Sequence, residues 1–208
     1  MAPTPFKRKG PRLSRTAHIE RFTKETSILV DINLDGTGAT DISTGVPFFD
    51  HMLDAFGRHG LFDLSVHATG DIEVDAHHTV EDCGIVLGQA IRQALGDCRG
   101  IVRYGSCILP MDETCVMAAI DVSGRGQCHC SLDIPAEQVG SFDTELGEEF
   151  FIALATNAGI TLHLRQICGR NSHHILEASF KAVTRALKDC VALDPRIAGV
   201  IPSTKGAL

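Results

Sequence analysis

The chain contains 208 residues, 44% of them hydrophobic, with 20 glycines and no tryptophan. This size and composition are typical of a globular protein of one domain or two small ones. Acidic residues outnumber lysines and arginines by 26 to 19, and the formal charge of −7 argues against a protein that coats nucleic acid or anionic membranes. No apolar run approaches the roughly 18 residues that span a bilayer. The ten histidines are about twice the ordinary number, so we expect the chemistry there.

The amino-terminal segment 1–16 is basic, with five lysines and arginines, three prolines and no acid. We expect a flexible, solvated tail. A basic start also occurs in organelle-targeting peptides, but this one is short and not clearly amphipathic, and no secretory pattern is present. The eight cysteines contain no C-x-x-C pair, which removes the common zinc-knuckle and redox spacings. We therefore expect a cytoplasmic protein with reduced cysteines.

Hydrophobic periodicity divides the rest of the chain into two similar halves, 17–97 and 98–195, followed by a segment over 196–208. The first half has predicted strands at 17–23 and 27–33, a helix from Pro47 that ends at Gly60, strands at 61–67 and 72–74, and a helix at 77–95. The second half has predicted strands at 106–110, 115–122 and 128–134, a helix at 143–157, a strand at 160–166, and a helix at 172–191 capped by Asn171 or Ser172. This order predicts an α+β fold.

The polar residues repeat as well. The pentapeptides at 77–81 and 173–177 both read His-His-x-x-Glu and both open a predicted helix. His51 stands 26 residues before the first motif and Glu149 stands 24 residues before the second, each on the preceding helix. Matched polar sets in matched contexts indicate a duplicated unit with a pseudo-twofold relation between its copies.

The spacing of the motif suits metal binding. Positions i and i+4 share one face of a helix, so the first His and the Glu of each motif can bind one ion. The second His lies about 100° further around the helix axis, which points it to a different site. Nitrogen and oxygen ligands without thiolate favour Mn²⁺, Fe²⁺ or Zn²⁺ with open coordination positions over a closed structural zinc site. The predicted ligands are His51, His77, His78, Glu81, Glu149, His173, His174 and Glu177.

Several longer strings extend this pattern. They are T-K-E-T (23–26), D-I-N-L-D-G-T-G (31–38), F-F-D-H-M-L-D (48–54), H-H-T-V-E-D (77–82), T-L-H-L-R (161–165), G-R-N-S-H-H-I-L-E-A-S-F-K-A (169–182) and I-P-S-T-K-G (201–206). In combination they closely resemble the imidazoleglycerol-phosphate dehydratase family of histidine biosynthesis. The resemblance covers essentially all of the chain after the basic tail.

The resemblance implies a fold and an activity. Each half would be a four-stranded mixed sheet with two helices, and the helices would pack between the two sheets. Members of the family dehydrate D-erythro-imidazoleglycerol phosphate to imidazole acetol phosphate, through an imidazolate intermediate held by two Mn²⁺ ions per active site. They form trimers that assemble into a 24-mer with active sites between subunits. The substrate is a small molecule, and no nucleic acid or membrane is involved.

The resemblance also implies roles for individual residues. Glu25 matches the general acid/base, and the catalytic set is Glu25, His51, Glu81 and Glu177. The residues that match substrate- and phosphate-binding positions are Glu25, His51, His59, Arg103, Arg125, Ser203 and Lys205. The chain departs from the family at Glu149, where the family usually has His; because a carboxylate also binds Mn²⁺, we expect Glu149 to act as a ligand.

Two other classes of protein remain open at this point. A dinuclear metallohydrolase could use the same ligand types to activate water, and it would release phosphate from phosphomonoesters. A non-catalytic metal-binding or scaffold protein would tolerate loss of the Glu25 carboxylate without consequence.

Overall fold

The computed structural model describes residues 15–208. The elements are β1 (Thr16–Phe22), β2 (Thr26–Asn33), β3 (Thr40–Ser43), α1 (Pro47–Gly60), β4 (Asp63–Gly70), α2 (His77–Leu95), β5 (Tyr104–Met111), β6 (Thr114–Asp121), β7 (Gln127–Ser131), β8 (Gln138–Val139), β9 (Phe142–Asp143), α3 (Leu146–Ala158), β10 (Thr161–Cys168) and α4 (Ser172–Val191), followed by a 3₁₀ helix at Pro195–Ile197. Most of the predicted basic tail, residues 1–14, lies outside the described residues. Within them, no helix is long and apolar enough to cross a bilayer.

The two halves have the same sheet topology. The first sheet has the strand order β1-β2-β4-β3 and the second has β5-β6-β10-β7. In each sheet the first three of these strands pair antiparallel and the last pair is parallel. The duplication predicted from the repeated motifs is therefore confirmed at the level of the fold, as is the α+β class.

The helices lie between the two sheets, as the resemblance implied. Helix α2 packs on β1 and β2 and against α3, whereas α4 packs on β5 and β6 and against α1. Each sheet therefore buries one face, and the alternation along the strands follows from this. On β2, for example, Ile28, Val30 and Ile32 are buried, while the intervening residues are partly or fully exposed. The helix contacts join α1 to α4 and α2 to α3, so both contacts cross between the halves.

A cluster of phenylalanines fixes how the helices of the two halves meet. Phe49 of α1, Phe150 of α3 and Phe180 of α4 are fully buried. Their ring centroids lie 5.3 Å apart for Phe49 and Phe150 and 5.1 Å apart for Phe150 and Phe180. Burying each ring contributes about 1.5–3 kcal/mol. These anchors lie within three residues of His51, Glu149 and Glu177, so the packing of the core sets the positions of the predicted ligands.

The close approach of α2 to α3 depends on two glycines. A Cβ atom on Gly84 would lie 2.8 Å from the Phe150 carbonyl oxygen, and one on Gly88 would lie 2.7 Å from the Leu154 carbonyl oxygen. Real Cβ atoms do not approach backbone this closely, so only glycine permits this helix contact.

The clearest differences between the prediction and the structure lie at 40–43, 72–74 and 143–146. The strand predicted at 72–74 is wrong: the segment is a turn in which the Val74 amide donates to the Asp71 carbonyl oxygen, and its apolar side chains are exposed. The fourth strand of the first sheet is instead β3, which is short and polar and has too little periodicity to be recognised. Helix α3 begins at Leu146, three residues later than predicted, because Asp143 pairs with Gln138 in the β8–β9 hairpin.

Candidate metal centres and active site

Three side chains that could hold a metal ion come together where α1 meets α4, and we call them the complete ligand group. His51, His173 and Glu177 each offer a ligand atom, and these atoms all lie within 4.8 Å of one another. The His173 Nε2 and Glu177 Oε2 atoms are 2.9 Å apart, and the His51 Nε2 and Glu177 Oε1 atoms are 3.8 Å apart. Bonds of about 2.0–2.2 Å to a divalent ion place ligand atoms roughly 3–4.4 Å apart. The group therefore fits one divalent cation, and it combines residues from both halves of the chain.

Glu177 is the most buried carboxylate of the motifs, with its side chain only 10% exposed. Burial alone would raise its pKa, but the hydrogen bond and charge of Lys181, one helical turn further along α4, outweigh burial and lower it. The Lys181 Nζ atom lies 2.6 Å from Glu177 Oε1. Glu177 therefore stays ionised, as a metal-binding carboxylate must be.

The first motif is more open. On α2 the His77 Nε2 atom lies 3.8 Å from Glu81 Oε2, and both side chains are more than 40% exposed. Glu149 lies on the neighbouring α3 and is half-buried, but it does not join them: over residues 15–208, the group around His51 is the only set of three ligands close enough for one ion. One chain therefore holds His77 and Glu81 as a pair.

The second histidine of each motif faces a carboxylate that sequence reasoning missed. The His78 Nδ1 atom lies 3.1 Å from an oxygen of Asp71, and the His174 Nδ1 atom lies 2.8 Å from an oxygen of Glu113. These hydrogen bonds raise the pKa of both histidines. The predicted helix cap is confirmed here, since Asn171 accepts a hydrogen bond from the His174 amide.

Glu25 lies beside the first motif. It occupies the turn between β1 and β2, where its amide donates to Thr23 Oγ1. One of its carboxylate oxygens is 4.0 Å from His78 Nδ1, and its side chain is 58% exposed. The structure therefore brings this predicted acid/base next to a predicted metal ligand and leaves it open to a substrate.

The predicted phosphate-binding residues lie at the other end of β5 and β6. Arg103 donates to both oxygens of Asp121, at 2.8 and 3.3 Å, and to the Pro202 carbonyl oxygen at 2.9 Å. The hydrogen bonds to Asp121 are the main reason why the pKa of the Arg103 guanidinium is raised. Ser203 follows directly, and its hydroxyl accepts a hydrogen bond from the Lys205 amide. Arg103 thus ties the carboxyl-terminal turn, with Ser203 and Lys205, to the second sheet.

Arg125 approaches the same carboxylate more loosely. Its guanidinium lies 3.9 Å from Asp121, and its side chain is 65% exposed. Asp121, which sequence reasoning missed, therefore accepts hydrogen bonds from Arg103 and lies within ion-pair distance of Arg125.

His59 lies near the end of α1 and faces α4. Its pKa is lowered by partial burial and by the charges of Lys181 and Arg185. The His59 side chain is exposed.

The residues that sequence reasoning missed differ in how much signal the sequence contained for each of them. Lys181 lies four positions after Glu177 on the same helix, so helical periodicity was a usable signal. Asp71 precedes His78 by seven residues and was hidden by the strand wrongly predicted there. Glu113 lies 61 residues before its partner His174 in the chain, and only the fold brings them together.

The chain is similar to known proteins over most of its length. The family model described as imidazoleglycerol-phosphate dehydratase matches residues 44–187. The chain is 60% identical over 199 residues to the imidazoleglycerol-phosphate dehydratase of Symbiobacterium thermophilum, covering 96% of this chain and 95% of that protein. It is also 60% identical over 194 residues to the protein of that name from Ruegeria sp., covering 93% and 100%.

Two solved structures are similar over most of the chain. The imidazoleglycerol-phosphate dehydratase of Staphylococcus aureus has a TM-score of 0.79 and 39% identity, covering 86% of this chain and 99% of that one. The structure of IGPD from Pyrococcus furiosus in complex with (S)-C348 has a TM-score of 0.80 and 35% identity, covering 91% and 100%.

Proposed function

The chain belongs to the imidazoleglycerol-phosphate dehydratase family, hydro-lyases of histidine biosynthesis, and we propose that it dehydrates its substrate through an imidazolate form held by two Mn²⁺ ions. The observation that carries this proposal is the convergence of His51, His173 and Glu177 from both halves, with ligand atoms within 4.8 Å of one another. The paired His77 and Glu81 on α2 supply the start of a second, pseudo-symmetric centre.

The reaction explains why two centres are needed. The proton to be removed is on a carbon with no adjacent carbonyl group, so the imidazole ring is the only available electron sink. When bound, two Mn²⁺ ions would supply positive charge to the two ring nitrogens and stabilise the anionic ring. The residues that would hold the ions are His51, His77, His78, Glu81, Glu149, His173, His174 and Glu177.

Glu25 is the proposed acid/base. The support is that its carboxylate is exposed and that its Oε2 atom lies 4.0 Å from Nδ1 of His78, a proposed metal ligand of the first motif. In this role Glu25 accepts the proton from the substrate carbon; the neighbouring hydroxyl leaves with its bonding electrons and takes up a proton to become water, and the resulting enol relaxes to the ketone.

Cationic groups would hold the phosphate. Arg103 and Arg125 can each donate two hydrogen bonds to phosphate oxygens, and Lys205 and the Ser203 hydroxyl add further donors. His59, which is exposed near the end of α1, would add a hydrogen bond to substrate.

The proposed active site lies between subunits of a homo-oligomer, in trimers that assemble into a 24-mer. The support is that His77 and Glu81 lack a third ligand within the described part of the chain, so a neighbouring copy would complete this centre. Native mass spectrometry with and without Mn²⁺ tests the assembly; a protein that stays monomeric while fully active would contradict it.

Product formation tests the activity and its alternatives. Purified protein is given Mn²⁺ and imidazoleglycerol phosphate, and the keto product is followed with free phosphate measured in parallel. We expect a ketone that retains its phosphate and loss of activity with a chelator. Release of phosphate would favour a metallohydrolase, and fully metallated protein that makes no product would overturn the proposal.

A further inference from the structure

The second histidine of each motif is held at the same ring atom by a carboxylate. His174 Nδ1 lies 2.8 Å from Glu113 Oε2, and His78 Nδ1 lies 3.1 Å from Asp71 Oδ2. We infer that Glu113 and Asp71 are positioning residues that place the imidazole proton on Nδ1, so that Nε2 of His174 and His78 is free to bind a metal ion. The metal part of this inference rests on the proposed function.

The argument begins with what a carboxylate can do. An ionised carboxylate only accepts hydrogen bonds, so the ring nitrogen that faces it must carry the proton. In the neutral ring the other nitrogen then has a free lone pair. Histidines that bind metals commonly donate their second N–H to such a partner, which fixes the tautomer and the orientation of the ring.

The surroundings of Nε2 fit this assignment. The nearest charged group to His174 Nε2 is Asp112, whose oxygen is 3.7 Å away and therefore beyond hydrogen-bonding distance. Asp112 is 80% exposed and does not block the nitrogen. Glu25 approaches His78 on the Nδ1 side and at 4.0 Å, so it leaves His78 Nε2 open as well.

The two carboxylates have different origins. Asp71 belongs to the turn directly before α2, whereas Glu113 comes from the hairpin between β5 and β6. In the first half, the equivalent β1–β2 hairpin carries Glu25, whose Oε2 atom lies 4.0 Å from His78 Nδ1, so both copies have a hairpin carboxylate but only Glu113 makes the hydrogen bond. In the first half the hydrogen bond comes from Asp71 instead, so Nδ1 of the second histidine is paired with a carboxylate in both copies although a different element supplies it.

The two carboxylates also differ in their other contacts, and this difference provides a sharp test. Glu113 Oε1 accepts from the amides of Arg170 and Asn171, at 3.2 and 2.8 Å, and from the Thr114 hydroxyl at 3.1 Å. Only Oε2 is left for His174. Both oxygens of Asp71 instead face His78, at 3.1 and 3.3 Å.

Amide isosteres should therefore act differently at the two positions. In Glu113→Gln the backbone amides retain the amide oxygen, so the NH₂ group faces His174 and forces Nδ1 to accept. The proton then moves to Nε2 and blocks it. In Asp71→Asn the side chain can turn its oxygen toward His78 and keep the original tautomer, which makes this variant the matched control.

Two measurements test the inference. The first is ¹⁵N NMR of histidine-labelled, metal-free protein at alkaline pH, where the rings are neutral. We expect Nδ1–H for His78 and His174 in the wild type and in Asp71→Asn, and Nε2–H for His174 in Glu113→Gln. Wild-type protein with the proton of His174 on Nε2 would overturn the inference without any variant having to fold.

The second measurement is titration with Mn²⁺ alone, followed by electron paramagnetic resonance. Loss of a metal-orienting partner typically weakens binding by 10–100-fold, and we expect a loss of about that size for Glu113→Gln and a smaller one for Asp71→Asn. Equal Mn²⁺ affinity in wild type and folded Glu113→Gln would overturn the metal part. Wild-type protein that binds no Mn²⁺ would instead overturn the proposed function, and the tautomers would still decide the positioning role.

Discussion

The two copies of the His-His-x-x-Glu motif have the same sequence pattern but different surroundings. The Glu177 carboxylate is 10% exposed, contacts Lys181 and is joined by His51 from the other half. The corresponding Glu81 is 44% exposed, and within residues 15–208 its ion-pair partner is His77 of its own helix. A duplicated motif thus specifies which ligands are present, whereas the packing of α1 against α4 decides which copy is complete within one chain.

The largest loss of kcat is expected from a substitution that removes a member of the complete ligand group. Glu177→Gln removes a ligand and leaves the Lys181 charge without its partner. Loss of metal-based charge stabilisation worth several kcal/mol lowers kcat by on the order of 10⁴ or more, and the unpaired buried groups lower the free energy of unfolding by about 1–3 kcal/mol. Steady-state kinetics and denaturant unfolding measure the two effects.

Glu81→Gln is the matched variant in the open copy. We expect a comparable loss of kcat without a loss of stability, because the Glu81 side chain is solvated. An equal loss of stability in both variants would contradict the difference in burial between Glu177 and Glu81.

The next effect separates chemistry from metal binding at the first motif. Glu25→Gln removes the proposed acid/base and should lower kcat by roughly 10²–10⁴ while leaving Mn²⁺ affinity intact. Glu20→Gln, on the exposed face of β1, is the control and should keep wild-type activity. Unchanged turnover in Glu25→Gln would contradict its assignment and favour a non-catalytic role for the metal sites.

A third effect concerns the loops after β2 and β6, which are equivalent in the two halves. The loop after β6 carries Arg125, whereas the loop at 35–39 contains no basic residue. Arg125→Ala should raise KM by about 10- to 100-fold, as expected for loss of charged hydrogen bonds to phosphate, with kcat and the unfolding midpoint nearly unchanged. A fall in kcat with constant KM would place Arg125 away from ground-state phosphate binding.

The smallest effect is local and depends on pH. Asp63 anchors the loop after β2 through the amides of Thr37 and Ala39, and these hydrogen bonds lower its pKa. At the equivalent position of β10, Thr161 uses a hydroxyl, which donates to the Arg125 carbonyl oxygen and does not titrate in this range.

A carboxylate with a lowered pKa contributes stability above its unfolded pKa, near 3.8, and loses it as pH falls further. We therefore expect hydrogen exchange to show the Thr37 and Ala39 amides losing protection below that pH, relative to the Arg125 amide. Asp63→Asn should abolish this difference in pH dependence. Equal loss of protection in both loops would contradict it.

Much of the fold was predictable because its signals are local. The apolar face of α2 and its end at Gly96, the cap of α4 by Asn171 and the alternation along β2 all follow from residues close in sequence. The strand missed at Thr40–Ser43 lacks such a signal, since its four residues are recognisable only once β4 lies beside them. The exposed apolar residues at 72–74 misled the prediction because alternation alone does not distinguish a strand from a turn.

By itself the sequence determined the duplication and the family, and it predicted the candidate metal-binding residue types, because these depend on composition and spacing along the chain. Only the tertiary structure decided that His51 joins His173 and Glu177, that Glu149 lies apart from His77 and Glu81 in one chain, and that Glu113 reaches His174 across 61 residues. The physical reason is that hydrophobic periodicity specifies which face of each helix is buried. It does not specify which other helix packs against that face. The partner depends on how large side chains such as Phe49, Phe150 and Phe180 fit together, and on the glycines that let two helices approach.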